Sequence, residues 1–111
     1  MENETANALL GKPVNLTGLI NYQDGSVVSK TIIKKTAGTV TLFAFDKEQG
    51  LSEHTTPYEA MVNLLEGEAE ITIGGQPNHV KSGDIIILPA NVPHSLKAVT
   101  KYKMLLIMIK S

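Results

Sequence analysis

The stretch from residue 54 to 75, HTTPYEAMVNLLEGEAEITIGG, most limits what this chain can fold into. A proline-marked loop leads into an apolar run, the chain turns at Glu66-Gly67-Glu68, alternates along AEITI, and turns again at Gly74-Gly75. Side chains alternate across a strand, so Glu68, Glu70 and Thr72 share one face while Ala69, Ile71 and Ile73 share the other. That is a strand with one wet face, the mark of an antiparallel sheet over a core.

The same rhythm runs through most of the chain. SVVSKTIIKK is rich in β-branched residues. Thr36-Ala37-Gly38 reads as a turn before TVTLFAF, where Thr39, Thr41, Phe43 and Phe45 share one face and Val40, Leu42 and Ala44 the other. Further strands are expected at 52–56, 60–66, 68–73, 77–81, 84–88, 94–99 and 101–109. Strands this short and this evenly interrupted by turn residues predict an all-β, antiparallel sandwich or barrel. NLTGLI has weak strand character, and Asp24-Gly25 is a turn signal. One short helix is expected over residues 3–11, with Asn3 as its cap, Ala6, Leu9 and Leu10 as its apolar face and Gly11 as its stop.

IIIL at 85–88 and MLLIMI at 104–109 are apolar on both faces. Both sides of those strands need covering. In 111 residues, enough for one domain, the second cover is expected to be another copy, giving a homodimer. The alternative is that the N-terminal segment folds back over its own sheet. A net charge of −1 argues against nucleic acid as a partner. No apolar run approaches the roughly 20 residues that span a bilayer, and the acidic start lacks the pattern of a signal peptide. A cytoplasmic location away from membranes is the expectation. Without cysteine there is no disulfide, thiolate nucleophile or zinc–sulfur site.

Few residues carry chemistry. His54 and Thr56 share a face if the backbone there is extended. His94 follows the loop-like PANVP. Two histidines from separate strands can converge inside a small barrel. His79 is expected outside, with Val80 as its inward neighbour. Phe43, Phe45, Val62, Leu64, Met104 and Met108 would line the barrel or simply fill its core. Neither a GxSxG elbow nor a phosphate-binding glycine loop is present.

From about Val40 to Met108 the chain resembles the cupin superfamily, whose motifs are G-x5-H-x-H-x3-4-E-x6-G and G-x5-P-x-G-x2-H-x3-N. His54, Glu66-Gly67 and Gly74-Gly75 fit the first motif and its hairpin. Gly83, Asp84, Pro89, Pro93 and His94 fit the second. The resemblance implies a jelly-roll barrel at 39–111, with 1–38 as an N-terminal segment carrying peripheral strands, one domain in all. Five positions depart from the pattern: Glu48 and Asn91 stand for glycines, Thr56 for the second histidine, Ala60 for the glutamate and Ala98 for the final asparagine.

In metal-binding cupins three histidines and the glutamate hold the ion, so the resemblance leaves only His54 and His94 as metal ligands. A divalent metal (Fe, Ni, Mn or Zn) would meet an incomplete ligand set without its anionic member. The expected function is small-molecule binding without catalytic residues, at a site made by His54, Thr56, Ala60, His94, Phe43, Val62 and Met104. The alternative is a metal-dependent enzyme (a dioxygenase, isomerase or decarboxylase) using His54 and His94. A histidine general base lacks a positioned acid to tune it. A filled, purely structural barrel would be told apart by its cavity volume.

Overall fold

A computed structural model of the chain describes residues 8–110. Nine strands follow a short 3-10 turn at Thr17–Leu19: β1 Val27–Lys35, β2 Gly38–Phe45, β3 Gly50–His54, β4 Glu59–Glu66, β5 Glu68–Ile73, β6 Gln76–Lys81, β7 Ile85–Leu88, β8 His94–Ala98 and β9 Tyr102–Ile109. They form two antiparallel sheets, one ordered β1-β2-β9-β4-β7 and the other β3-β8-β5-β6. The expected all-β sandwich is what the chain forms.

Alternation explains the core. Phe45 from β2, Val62 and Leu64 from β4, Ala69 and Ile71 from β5, and Tyr102 and Met104 from β9 meet between the sheets, each essentially inaccessible to solvent. Each large apolar side chain in that layer contributes about 1.5–3 kcal/mol by leaving water. The Phe45 and Tyr102 rings stack with centroids 4.4 Å apart.

The opposite face of β2 is covered as well. Leu42 and Ala44 are fully buried with Ile20, and Leu16, Leu19 and Tyr22 pack around them. The N-terminal segment therefore does fold back over part of its own sheet. Two lysines fasten it: the Lys103 ammonium donates to the Thr17 carbonyl at 2.7 Å, and that of Lys30 to the Leu19 carbonyl at 3.0 Å. The cover stops short of β7, where Ile85 and Ile87 stay 58% and 56% exposed.

Two expectations are corrected. NLTGLI is not a strand. The Asn15 side-chain oxygen accepts from the Gly18 amide at 2.9 Å and the Thr17 hydroxyl at 3.0 Å, and this local capture bends the chain into the 3-10 turn. The strand expected at 52–56 is displaced to Gly50–His54. A side chain at residue 50 would strike the Leu96 carbonyl oxygen, so glycine lets β3 start early against β8, and Pro57 ends the extended run. Of the helix expected over 3–11, the part before Ala8 lies outside the described residues. Ala8 and Leu9 are helical, and the Lys12 amide donates to the Leu9 carbonyl as the chain leaves it.

Gly67 joins β4 to β5 with φ +84°, and an added Cβ would lie 2.7 Å from that of Tyr102 and collide with the Lys101 carbonyl oxygen. Glu48 adopts φ 71° without being glycine. We expect opposite outcomes in urea denaturation: Gly67→Ala loses about 3 kcal/mol or more, whereas Glu48→Gly gains about 1 kcal/mol by removing left-handed strain. Equal losses from both would contradict this account.

Candidate functional site

β3 ends at His54 and β8 begins at His94, and the two are cross-strand partners. Both backbones hold the rings. His54 Nδ1 lies 2.8 Å from the Ser52 carbonyl oxygen, and His94 Nδ1 lies 3.2 Å from that of Val92. A carbonyl only accepts, so each Nδ1 carries the proton and donates it. In the neutral rings both Nε2 atoms are then bare acceptors, and they face each other at 3.1 Å. Two lone pairs at that distance repel unless a proton, a cation or a ligand donor stands with them.

The pair is asymmetric. His94 is 4% exposed, whereas His54 sits at the solvent-facing rim. Burial is the main cause that pushes the His94 imidazole below its ordinary value; the Val92 hydrogen bond opposes the shift and the nearby His54 adds to it.

The rings open onto a cavity of about 40 Å³, whose wall also includes Thr56, Ala60, Leu88, Met104 and Met108. That holds a few waters or one small group, since a water needs roughly 10–15 Å³ measured this way. Thr56 turns its hydroxyl to the Tyr58 carbonyl at 3.0 Å. Its own carbonyl accepts the Asn91 amide at 2.7 Å, tying the loop before β4 to the loop before β8. Asn91 adopts φ 64°, the left-handed backbone that asparagine tolerates better than most residues.

The fold thus brings His54, Thr56, Ala60, His94 and Met104 around one space. Phe43 and Val62 lie in the same core but not in this cavity's wall. Leu51, Leu88, Leu96 and Leu106 are wall residues that sequence reasoning missed. Parity offered a signal for two of them: Leu96 lies two residues from His94, and Leu106 lies between Met104 and Met108. His79 is on the outside, 2.7 Å from the Glu68 carboxylate, with Val80 buried beside it.

The residues fit a metal ion only in part. Bonds of roughly 2.0–2.1 Å from both Nε2 atoms across 3.1 Å would subtend about 100° at an ion, suited to adjacent coordination positions. Ring protons held by carbonyls are the usual support for such ligands. No carboxylate joins them: among the described residues, no three His, Cys, Asp or Glu side chains cluster.

Residues 41–110 match the sequence profile of a family described as the Cupin domain. A conserved protein of unknown function from Streptococcus pyogenes is 36% identical over 91% of this chain and 89% of its own, with a TM-score of 0.87. A cupin 2 conserved barrel domain protein from Leptotrichia buccalis is 38% identical over 87% of this chain but 47% of its own, with a TM-score of 0.85. A cupin superfamily protein from Desulfitobacterium hafniense is 26% identical over 91% and 93%, with a TM-score of 0.86. Among curated proteins, none matches.

His94 supplies a pH test. Its folded value lies below the unfolded one, about 6.5, so the unfolded chain takes up the proton first as pH falls. The stability from the neutral ring is complete above that value and is lost as pH falls toward the folded one. For metal-free protein, the drop in Tm between pH 7.5 and 5.5 should be larger than for His94→Gln. Parallel curves would show that the buried ring is not the cause.

Proposed function

Because the chain belongs to the cupin domain family, we propose that it binds a small organic molecule at one end of its barrel, with His54 and His94 as polar anchors and no catalytic step. The observation that carries this reading is the pair of acceptor nitrogens, 3.1 Å apart, turned into a leucine- and methionine-lined cavity. Binding sites for small molecules have this makeup: apolar walls with a few placed polar atoms.

The ring tautomers define the ligand's polar end. It offers a hydroxyl, an enol or an amide N–H, since the cavity already supplies acceptors. Size limits it further. About 40 Å³ is far below the roughly 300–1,000 Å³ that encloses a drug-sized molecule, so only a small group enters and the remainder stays at the rim beside His54. Catalysis lacks parts: Thr56 is bonded to a backbone carbonyl, Ala60 is inert, and among the described residues no acidic side chain joins the imidazoles.

The second reading, a metal-dependent enzyme, is favoured by the angle that the two rings would give an ion. His54 and His94 would hold a divalent Fe, Ni, Mn or Zn ion, which when bound would supply Lewis-acid polarisation of a substrate oxygen. The Ser52 and Val92 carbonyls would orient the rings, and the leucine wall would exclude water. Calorimetry with Zn²⁺, Ni²⁺, Mn²⁺ and Fe²⁺ separates the readings. We expect no stoichiometric binding tighter than about 1 μM, given the missing anion. Tight binding that both His54→Ala and His94→Ala abolish would replace the first reading with the second. In the positive test, small alcohols, hydroxy acids and primary amides are screened by NMR. Hits should move the Nε2 resonances of both rings, and a panel that moves neither would sink the binding reading.

The homodimer belongs to the same proposal. Ile85 and Ile87 on β7 and Ile109 on β9 stay 58%, 56% and 55% exposed, and the intervening β4 holds Met61 in register with both Ile87 and Ile107. A second copy can present the identical row across a two-fold axis, covering both. Ile87→Glu should shift a dimer to monomer in light scattering, whereas a wild-type monomer at 100 μM protein would contradict the proposal. A cytoplasmic site of action is likewise proposed, and cell fractionation tests it. Among the described residues, no helix is long and apolar enough to cross a membrane.

A further inference from the structure

The outward face of the five-stranded sheet is stepped. Val40, Leu42 and Ala44 of β2 share that face, and their cross-strand partners continue it in both directions. Ile33 of β1 pairs with Val40, Val40 with Ile107, Ile107 with Met61 and Met61 with Ile87. One apolar row therefore crosses the sheet from edge to edge. Over β1 and β2 the N-terminal segment adds a layer, in which Leu16, Leu19 and Ile20 pack on Leu42 and Ala44. That layer stops short of β7, where Ile85 and Ile87 stand more than half exposed.

The covered half also carries a receptacle. Between the segment and β1 lies an apolar groove of about 280 Å³, walled by Leu10, Val14, Leu16, Leu19, Ile32 and Ile33. Leu10 is the most open of these, at 71% exposure. Groove and isoleucine ridge lie at opposite edges of one face, with β9 midway between β1 and β7.

We propose that a second copy of this chain docks with its β7 ridge in this groove, so that the bare half of each face receives the covered half of the other. The proposal rests on the homodimer reading and adds which surfaces meet.

Symmetry, packing and charge choose this arrangement. A two-fold axis running along β9 exchanges the edges of the sheet, so β7 of one copy stands over β1 of the other and ridge meets groove twice. The apolar row is turned onto itself, with Ile87 over the partner's Ile33 and Met61 over the partner's Val40. An axis across the strands instead sets β7 on β7 and cover on cover. The two covers then touch first and hold the isoleucines apart, leaving a void where interfaces are close-packed. The next row runs Lys35, Gly38, Ile109, Glu59 in register, with Lys35 and Glu59 both exposed. Exchange of edges brings Glu59 over the partner's Gly38, one strand from the partner's Lys35, so opposite charges meet at the rim. The area is adequate: five strands about 4.8 Å apart and about eight residues long make a face of roughly 600 Å², near the roughly 800 Å² each partner buries in a standard interface.

The chain has no cysteine, so an introduced one reports alone. Leu10→Cys and Ile87→Cys are prepared separately and treated with a short bismaleimide cross-linker. The expected result is a covalent dimer from the mixture of the two variants and none from either by itself. As an independent reading, Leu10→Glu and Ile87→Lys should each raise the dimer dissociation constant about 10-fold or more in analytical ultracentrifugation, whereas their equal mixture should associate nearly as tightly as wild type. Both sites are exposed within one chain, so the variants should fold, which circular dichroism checks.

The contrary outcomes fall separately. A dimeric wild type in which Ile87→Cys cross-links to itself, or in which the mixture does not cross-link, overturns the ridge-in-groove arrangement and leaves the homodimer standing. A dimer that neither charge variant weakens has its interface elsewhere and overturns the arrangement together with the proposed dimer face. A monomeric wild type overturns both.

Discussion

The structure depends on a central strand that is apolar on both faces. β9 is paired with β2 on one side and β4 on the other. Its inward residues make the floor of the barrel, and its outward residues would face water if the sheet stood alone. The N-terminal segment answers that demand with Leu16, Leu19, Ile20 and Tyr22. Lys103, buried in the middle of this face, becomes tolerable because its ammonium reaches the Thr17 carbonyl and lies 5.0 Å from the Tyr22 ring centre. Tyr22 in turn donates to the Glu66 carboxylate at 2.6 Å. A lysine in the strand thus anchors the segment that covers the strand, and the cover supplies the partners that the lysine needs.

Much of this was legible in the residues. Period-two alternation in EAEITI and TVTLFAF assigned inward and outward faces, and Gly67 and Gly74 marked turns that the chain makes with positive φ. What sequence reasoning lost were local contests. Asn15 diverts NLTGLI into a 3-10 turn with its side chain, a choice that propensity does not encode. The start of β3 follows from how closely Gly50 must approach Leu96, a tertiary contact. Motif spacing brought the two histidines forward as candidates. Their tautomers were invisible, because these depend on where the Ser52 and Val92 carbonyls point.

The five departures from the cupin pattern differ in kind. Glu48 and Asn91 stand for glycines and still take left-handed backbone, so the chain's path is kept at the expense of strain. Thr56 and Ala60 stand for ligands, and there the geometry is kept while the chemistry changes. Loop anchoring persists through the Asn91 amide on the Thr56 carbonyl. The scaffold that positions the site is therefore more faithful to the family than the set of donors it presents.

The placement of β3 has a consequence for how firmly each histidine is held. It is an edge strand, bonded only to β8 within its sheet, and His54 is its last residue. Strand ends at sheet edges open at small free-energy cost, while the interior stays closed. The outer imidazole is therefore carried by the end of an edge strand, whereas the inner one stands on β8, which is paired on both sides. Local opening at that edge would separate the two rings without opening the core.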